Sequence, residues 1–172
     1  MSNPYFTHQK YLREELDKLP KNKQTICLEF GMGDGSSSVF KEYLESNENL
    51  TVYAFESNYD WFNSMSLKYK HERYHFQFVR DWNDFMYKKK FDRMYNLIFV
   101  DSNPWDARIL TIELLKNKSS TFILHDYDFY NKGVIPDIFS VGDGSFFKNK
   151  FNDHFRFEPH YEILPPTLVL RK

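Results

Sequence analysis

Glu29, Gly31, Gly33 and Gly35 stand at alternate positions directly after the apolar run Ile26-Cys27-Leu28, and Ser36 follows the last glycine. Glycines let a backbone approach a ligand closely and take up positive φ. Helix-forming residues resume at once, with Val39, Phe40, Tyr43 and Leu44 spaced for one helical face. The predicted elements are a buried strand, a tight turn and a helix N-terminus. Such a helix start offers free N–H groups and partial positive charge, and turns of this kind hold nucleotides or nucleoside-like ligands. A dinucleotide turn uses G-x-G-x-x-G, whereas here the third glycine comes one residue early. A carboxylate two residues before the first glycine repels a pyrophosphate but suits a cationic or amino-bearing ligand.

Further carboxylates repeat that placement. The β-prone stretch Thr51-Val52-Tyr53-Ala54-Phe55 ends at Glu56, about twenty residues after the glycines, where doubly wound folds put a ribose-binding acid. Two hydroxyls on adjacent carbons suit a carboxylate acceptor. Tyr74-His75-Phe76-Gln77-Phe78-Val79 reads as a third strand, followed by Arg80-Asp81-Trp82. Tyr95-Asn96-Leu97-Ile98-Phe99-Val100 is the most continuous apolar strand, so it is expected at the centre, and it ends at Asp101. Ser119 to His125 forms the fifth strand and ends at Asp126. In a parallel sheet these five acids share one rim, which is costly unless cations or donors answer them. Ligands on open parallel sheets bind outside that same rim.

The Glu29-x-Gly31-x-Gly33-x-Gly35 run resembles motif I of the class I S-adenosylmethionine-dependent methyltransferases. The resemblance covers roughly residues 24–126 by motif and the chain by element order. It implies that Gly31, Gly33, Gly35 and Ser36, with Glu29, cradle the amino-acid end of the cofactor. It implies that Glu56 binds the ribose, that Asp81 bonds the adenine amino group, and that Trp82 lies on the ring face. In one metal-dependent O-methyltransferase group, acids ending strands four and five hold a divalent cation that binds the acceptor oxygen. Asp101 and Asp126 occupy those strand ends, and Mg²⁺ would lower the acceptor hydroxyl's pKa. Tyr127 departs from that group's pattern, and Asp128 is the nearest substitute. Asn103-Pro104-Trp105 matches the Asn/Asp-Pro-Pro-aromatic run of adenine amino methyltransferases only weakly and reads as a loop. His125 has two readings. It is a base oriented by Asp126 or Asp128, or, because strand side chains alternate, it faces away from the site if Asp126 faces it.

The implied fold is a doubly wound α/β domain spanning residues 1–172. It has a mostly parallel seven-stranded sheet, a terminal antiparallel strand, and an N-terminal helix over residues 5–19 on the sheet edge. Thr7 and His8 fall near the ligand mouth, and His8 reads as an exposed surface histidine. Further helix patterns run over Tyr59–Tyr69, to about Lys89 and from Asp106 to Lys116. Residues 127–145 read as loop, with Gly133, Pro136, Gly142 and Gly144.

The chain of 172 residues is long enough for one domain with a real core, and its net charge of -1 signals no nucleic-acid or membrane field. Lys88-Lys89-Lys90 is short and flanked by acids, so it reads as a solvated helix end. Cys27 is the sole cysteine, which excludes an intramolecular disulfide, and it reads as a small core residue. No apolar run nears the ~20 residues of a membrane span, and the N-terminus lacks a leader pattern, which suggests a soluble, cytoplasmic protein. The aromatic content of 19% is compatible with a homodimer. The leading expectation is a methyltransferase acting on a small-molecule or sugar oxygen acceptor. The alternatives are a catalytically silent methyltransferase-like binding subunit and an NAD-dependent oxidoreductase, against which the early third glycine and Glu29 argue.

Overall fold

The computed structural model describes residues 6–127 and 149–172. Seven strands, β1 (Thr25–Phe30), β2 (Leu50–Glu56), β3 (Tyr74–Phe78), β4 (Leu97–Val100), β5 (Thr121–His125), β6 (Arg156–His160) and β7 (Thr167–Arg171), form one sheet. Their order is β3-β2-β1-β4-β5-β7-β6. The first five strands run parallel, and β7 lies antiparallel between β5 and β6. The order reverses between β1 and β4, the switch point where open α/β sheets place a ligand crevice.

All six residues of β1 are buried, because both faces of the strand are covered. Ile26, Leu28 and Phe30 enter one apolar cluster, and Cys27 enters the other. That double burial explains an apolar run without alternation. Helix α2 (Asp34–Ser46) buries Val39, Phe40 and Leu44, the face that the spacing predicts. Helices α3 (Tyr59–Lys68), α4 (Trp82–Lys88) and α5 (Asp106–Leu115) follow β2, β3 and β4.

Helix α1 (Gln9–Asp17) lies farther in than the sheet edge and packs on α2 and on the central strand β4. Its buried residues Tyr11, Leu12 and Leu16 share a cluster with Phe99 and Val169. Arg171 of β7 pairs with the buried Glu15 and with Glu158 of β6, and Tyr11 stacks on His160 at 3.9 Å between ring centroids. Together these contacts lay α1 across the sheet centre and carry the preceding residues 6–8 over the ends of β4 and β5. The expected terminal loop, including Asp128 and Gly133 to Gly144, lies outside the described residues.

Candidate functional site

The turn after β1 is shaped by contact with the next strand over. Gly31 has φ +87°, and a Cβ there would stand 2.4 Å from the Asp101 carbonyl oxygen. Only glycine permits both that backbone conformation and that approach. Gly33 precedes α2 in extended conformation, and a Cβ there would meet nothing within 4 Å. The turn therefore opens onto a cavity of about 460 Å³, within the range of small-molecule sites. Met32, Gly33, Asp34, Gly35 and Ser36 form one wall of it. Phe6 and His8 come from the segment before α1, Trp61 from α3, and Asp101 and His125 from the ends of β4 and β5.

Glu29 does not line this cavity. Its wholly buried carboxylate accepts from the Ser36 and Ser37 hydroxyls at 2.6 and 2.9 Å and from the Tyr74 hydroxyl. Burial pushes this carboxyl up to about 7, against the opposing pull of those hydroxyl donors. Glu29 thus holds the first turn of α2 from beneath. Glu56 is also nearly buried, and its oxygens accept from the backbone N–H of Met32 at 2.9 Å and of Ser57 and Asn58 at 2.7 Å. It braces the glycine turn and does not line the cavity. Asp81 caps α4 through the Asp84 N–H at 2.7 Å and borders a separate, open depression. Trp82 is 5% exposed, and its indole donates to the Asn103 carbonyl at 2.8 Å, which also accepts from the Ser57 hydroxyl at 3.0 Å. These bonds join the ends of β2 and β4 between Trp82 and the cavity residues.

Asp101 and His125 do come together. His125 Nδ1 lies 3.0 Å from Asp101 Oδ2, and Arg108 of α5 reaches Asp101 Oδ1 at 2.8 Å. Burial raises the Asp101 carboxyl, but Arg108 and His125 outweigh it and hold the group below the usual carboxylate range. An ionised carboxylate only accepts, so Nδ1 carries the proton that His125 donates to it. The Thr7 hydroxyl sits 2.9 Å from His125 Nε2 and 2.8 Å from the Pro165 carbonyl. Arg108 also donates to the carbonyls of Ser102, His125 and Asp126, at 2.9, 2.5 and 2.7 Å. One planar guanidinium thus locks the β4 loop to the end of β5.

The alternation argument resolves in favour of His125. Its side chain shares a sheet face with Asp101, while Asp126 lies one residue past the strand with φ +52° and does not line the cavity. Asp126 therefore does not orient His125; Asp101 does. Burial pushes the Asp126 carboxyl up, only partly offset by Arg108 and His125. Asp101 and Asp126 do not fit a divalent cation, because the Arg108 guanidinium already occupies Asp101. Among the described residues no group of three or more His, Cys, Asp or Glu side chains could hold a metal ion.

His8 corrects the expectation of an exposed histidine, because it is 2% exposed. Its ring packs on Phe99 and edge-on against His125, with centroids at 4.8 and 4.4 Å. Arg108, Phe6 and Trp61 carry no sequence signal of a site. Arg108 reads as one more polar helix residue, and only the seven-residue step from Asp101 across a loop into the first turn of α5 hints at the pair.

No family model and no curated protein matches the sequence. Solved structures share its fold. An O-methyltransferase family protein from Burkholderia thailandensis superposes with a TM-score of 0.58 at 10% identity, covering 96% of this chain and 55% of that one. An rRNA methylase from Streptococcus thermophilus gives 0.59 at 13% identity, covering 100% and 98%. A Podospora anserina methyltransferase bound to S-adenosylhomocysteine gives 0.62 at 13% identity, covering 99% and 88%. The chain spans about half the length of the first of these and nearly the whole length of the second. With its reversal between β1 and β4 and β7 inserted antiparallel before the edge, the chain has the Rossmann-like fold of the class I methyltransferases.

Proposed function

We propose that this protein transfers a methyl group from S-adenosylmethionine to a hydroxyl oxygen of a small-molecule or sugar acceptor. The observation that carries the reading is the Asp101–His125 pair, facing the cavity beneath the glycine turn. Gly33 leaves an open cradle there, where no Cβ intrudes, and the first residues of α2 form its wall. When bound, S-adenosylmethionine supplies an electrophilic methyl group, and the electron pair of the broken S–C bond stays on sulfur. The rest falls to the chain's own residues. Gly33, Asp34 and Gly35 hold the ligand against the helix start. Phe6 and Trp61 wall the cavity with apolar surface. Asp101 keeps Nδ1 protonated, so Nε2 is the His125 atom that takes a proton from an acceptor hydroxyl. Thr7 Oγ1 stands 2.9 Å from Nε2 and donates its hydrogen to the Pro165 carbonyl, so the acceptor hydroxyl takes the place of Thr7 at that nitrogen.

A second reading, a catalytically silent binding subunit, draws on one observation: Glu56 is spent on three backbone N–H groups and lies outside the cavity lining. Calorimetric titration with S-adenosylhomocysteine separates the two. Binding is expected, and Glu56→Ala is expected to weaken it about tenfold, through loss of the brace on the turn. His125→Asn is expected to retain that binding and abolish transfer of a labelled methyl group to hydroxyl acceptors. No binding at millimolar ligand would sink the methyltransferase reading and leave the silent one. Binding with transfer unaffected by His125→Asn would remove the dyad from the chemistry.

A further inference from the structure

Among the described residues four buried side-chain N/O atoms lack a hydrogen-bond partner, and two of them are the ring nitrogens of His8. The other two, Ser102 Oγ and Thr167 Oγ1, flank the same dyad: Ser102 follows Asp101, and Thr167 is the β7 partner of His125 in the ladder. Buried polar atoms are normally paired, and an orphan calls for a partner of its own. His8 lines the cavity, is 2% exposed, and has no use in the dyad, because Thr7, not His8, meets His125 Nε2.

The surroundings set the chemistry of the missing partner. Burial, then the neighbouring His125, pushes the His8 imidazole down to about 3, despite the pull of Asp101. The ring is therefore neutral in ordinary conditions and offers one N–H and one lone pair. A hydroxyl group, itself both donor and acceptor, matches that pair. An anion at His8 does not, because the Asp101 carboxylate acts on the ring and Arg108 is committed to Asp101 and three carbonyls. A cation at His8 finds no free acid, since Arg108 and His125 hold Asp101 at 2.8 and 3.0 Å. Phe6 and Trp61, 40% and 43% exposed, leave apolar ring faces open to a flat or cyclic ligand.

We propose that His8 is an acceptor-binding residue that hydrogen-bonds an uncharged hydroxylic ring compound, a small turn of the imidazole bringing its nitrogens to the ligand. This rests on the methyltransferase reading above and narrows its acceptor to neutral compounds.

The test uses the full chain labelled with ¹⁵N-histidine and loaded with S-adenosylhomocysteine. Methyl β-glucopyranoside and catechol serve as neutral probes, and glucuronate and glucose 6-phosphate as charged ones. The His8 ring signals, identified by their loss in His8→Phe, are expected to move with a neutral probe and to stay still with the charged ones. His8→Phe is expected to weaken neutral-probe binding about tenfold more than it weakens S-adenosylhomocysteine binding. Charged probes binding more tightly, neutral binding indifferent to His8→Phe, or no neutral probe binding the loaded protein would each overturn the proposal. Where His8→Phe folds poorly, loss of the signals in His8→Gln identifies them instead, and the wild-type spectra then decide. Failure of S-adenosylhomocysteine to bind would count against the methyltransferase reading instead, and the same titrations without it then judge His8 alone.

Discussion

Glu29 carries its carboxyl in a place that water does not reach, answered by three hydroxyls and no cation. Its folded pKa near 7 lies above the ordinary 4.5, so the folded chain holds that proton at pH values where the unfolded chain has released it. The stability it contributes is complete below about 4.5 and is lost as pH rises through 7. Glu29→Gln is expected to flatten that decline, read by urea unfolding at a series of pH values. An unchanged slope would mean that the carboxyl is ionised throughout. Asp101 is the opposite case, because a guanidinium and an imidazole N–H more than repay its burial and keep it charged. The types of these acids were legible in the sequence as strand ends. Their partners were not, because Tyr74 is 45 positions from Glu29 and Arg108 belongs to a helix with no evident site pattern.

At the scale of elements, the glycine turn works through two residues with different duties. Gly31 passes the backbone against Asp101 in a left-handed conformation, while Gly33 faces open space. Gly31→Ala is expected to cost at least about 2 kcal/mol of stability, by strain and by displacement of the β4 loop. Gly33→Ala is expected to leave the unfolding midpoint nearly unchanged and to reduce S-adenosylhomocysteine affinity, because its methyl group would project into the cradle. Denaturation and calorimetry on the two variants check the division; equal losses of stability would contradict it. The helices and strands themselves follow the sequence patterns closely: α3 and β3 fall where the apolar spacing puts them, and β1 and β4 are buried on both faces as their unbroken runs demand. The exception is α1, whose amphipathic pattern says that it packs but not where.

For the whole molecule, the position of α1 depends on the last strand. Arg171, the last residue of β7, ties Glu15 of α1 to Glu158 of β6. Among the described residues, Arg171→Ala leaves the nearly buried Glu15 with Lys18 as its one ion-pair partner and is expected to lower stability by about 1–3 kcal/mol. Urea midpoints would show it, and no change would place the anchoring of α1 in its apolar face alone. Among the described residues no helix is long and apolar enough to cross a membrane. The sequence by itself determined the doubly wound order of elements, the glycine turn and the rim of acids, because strand and helix periodicities and glycine's conformational freedom are local properties. Only the tertiary structure decided which acids face the cavity. It turned Glu29 and Asp81 aside, paired Asp101 with His125 and Arg108, and brought His8 and Thr7 over the dyad. Those choices depend on contacts between elements, from 24 positions apart for Asp101 and His125 to 118 for Thr7 and His125, and no local pattern encodes them.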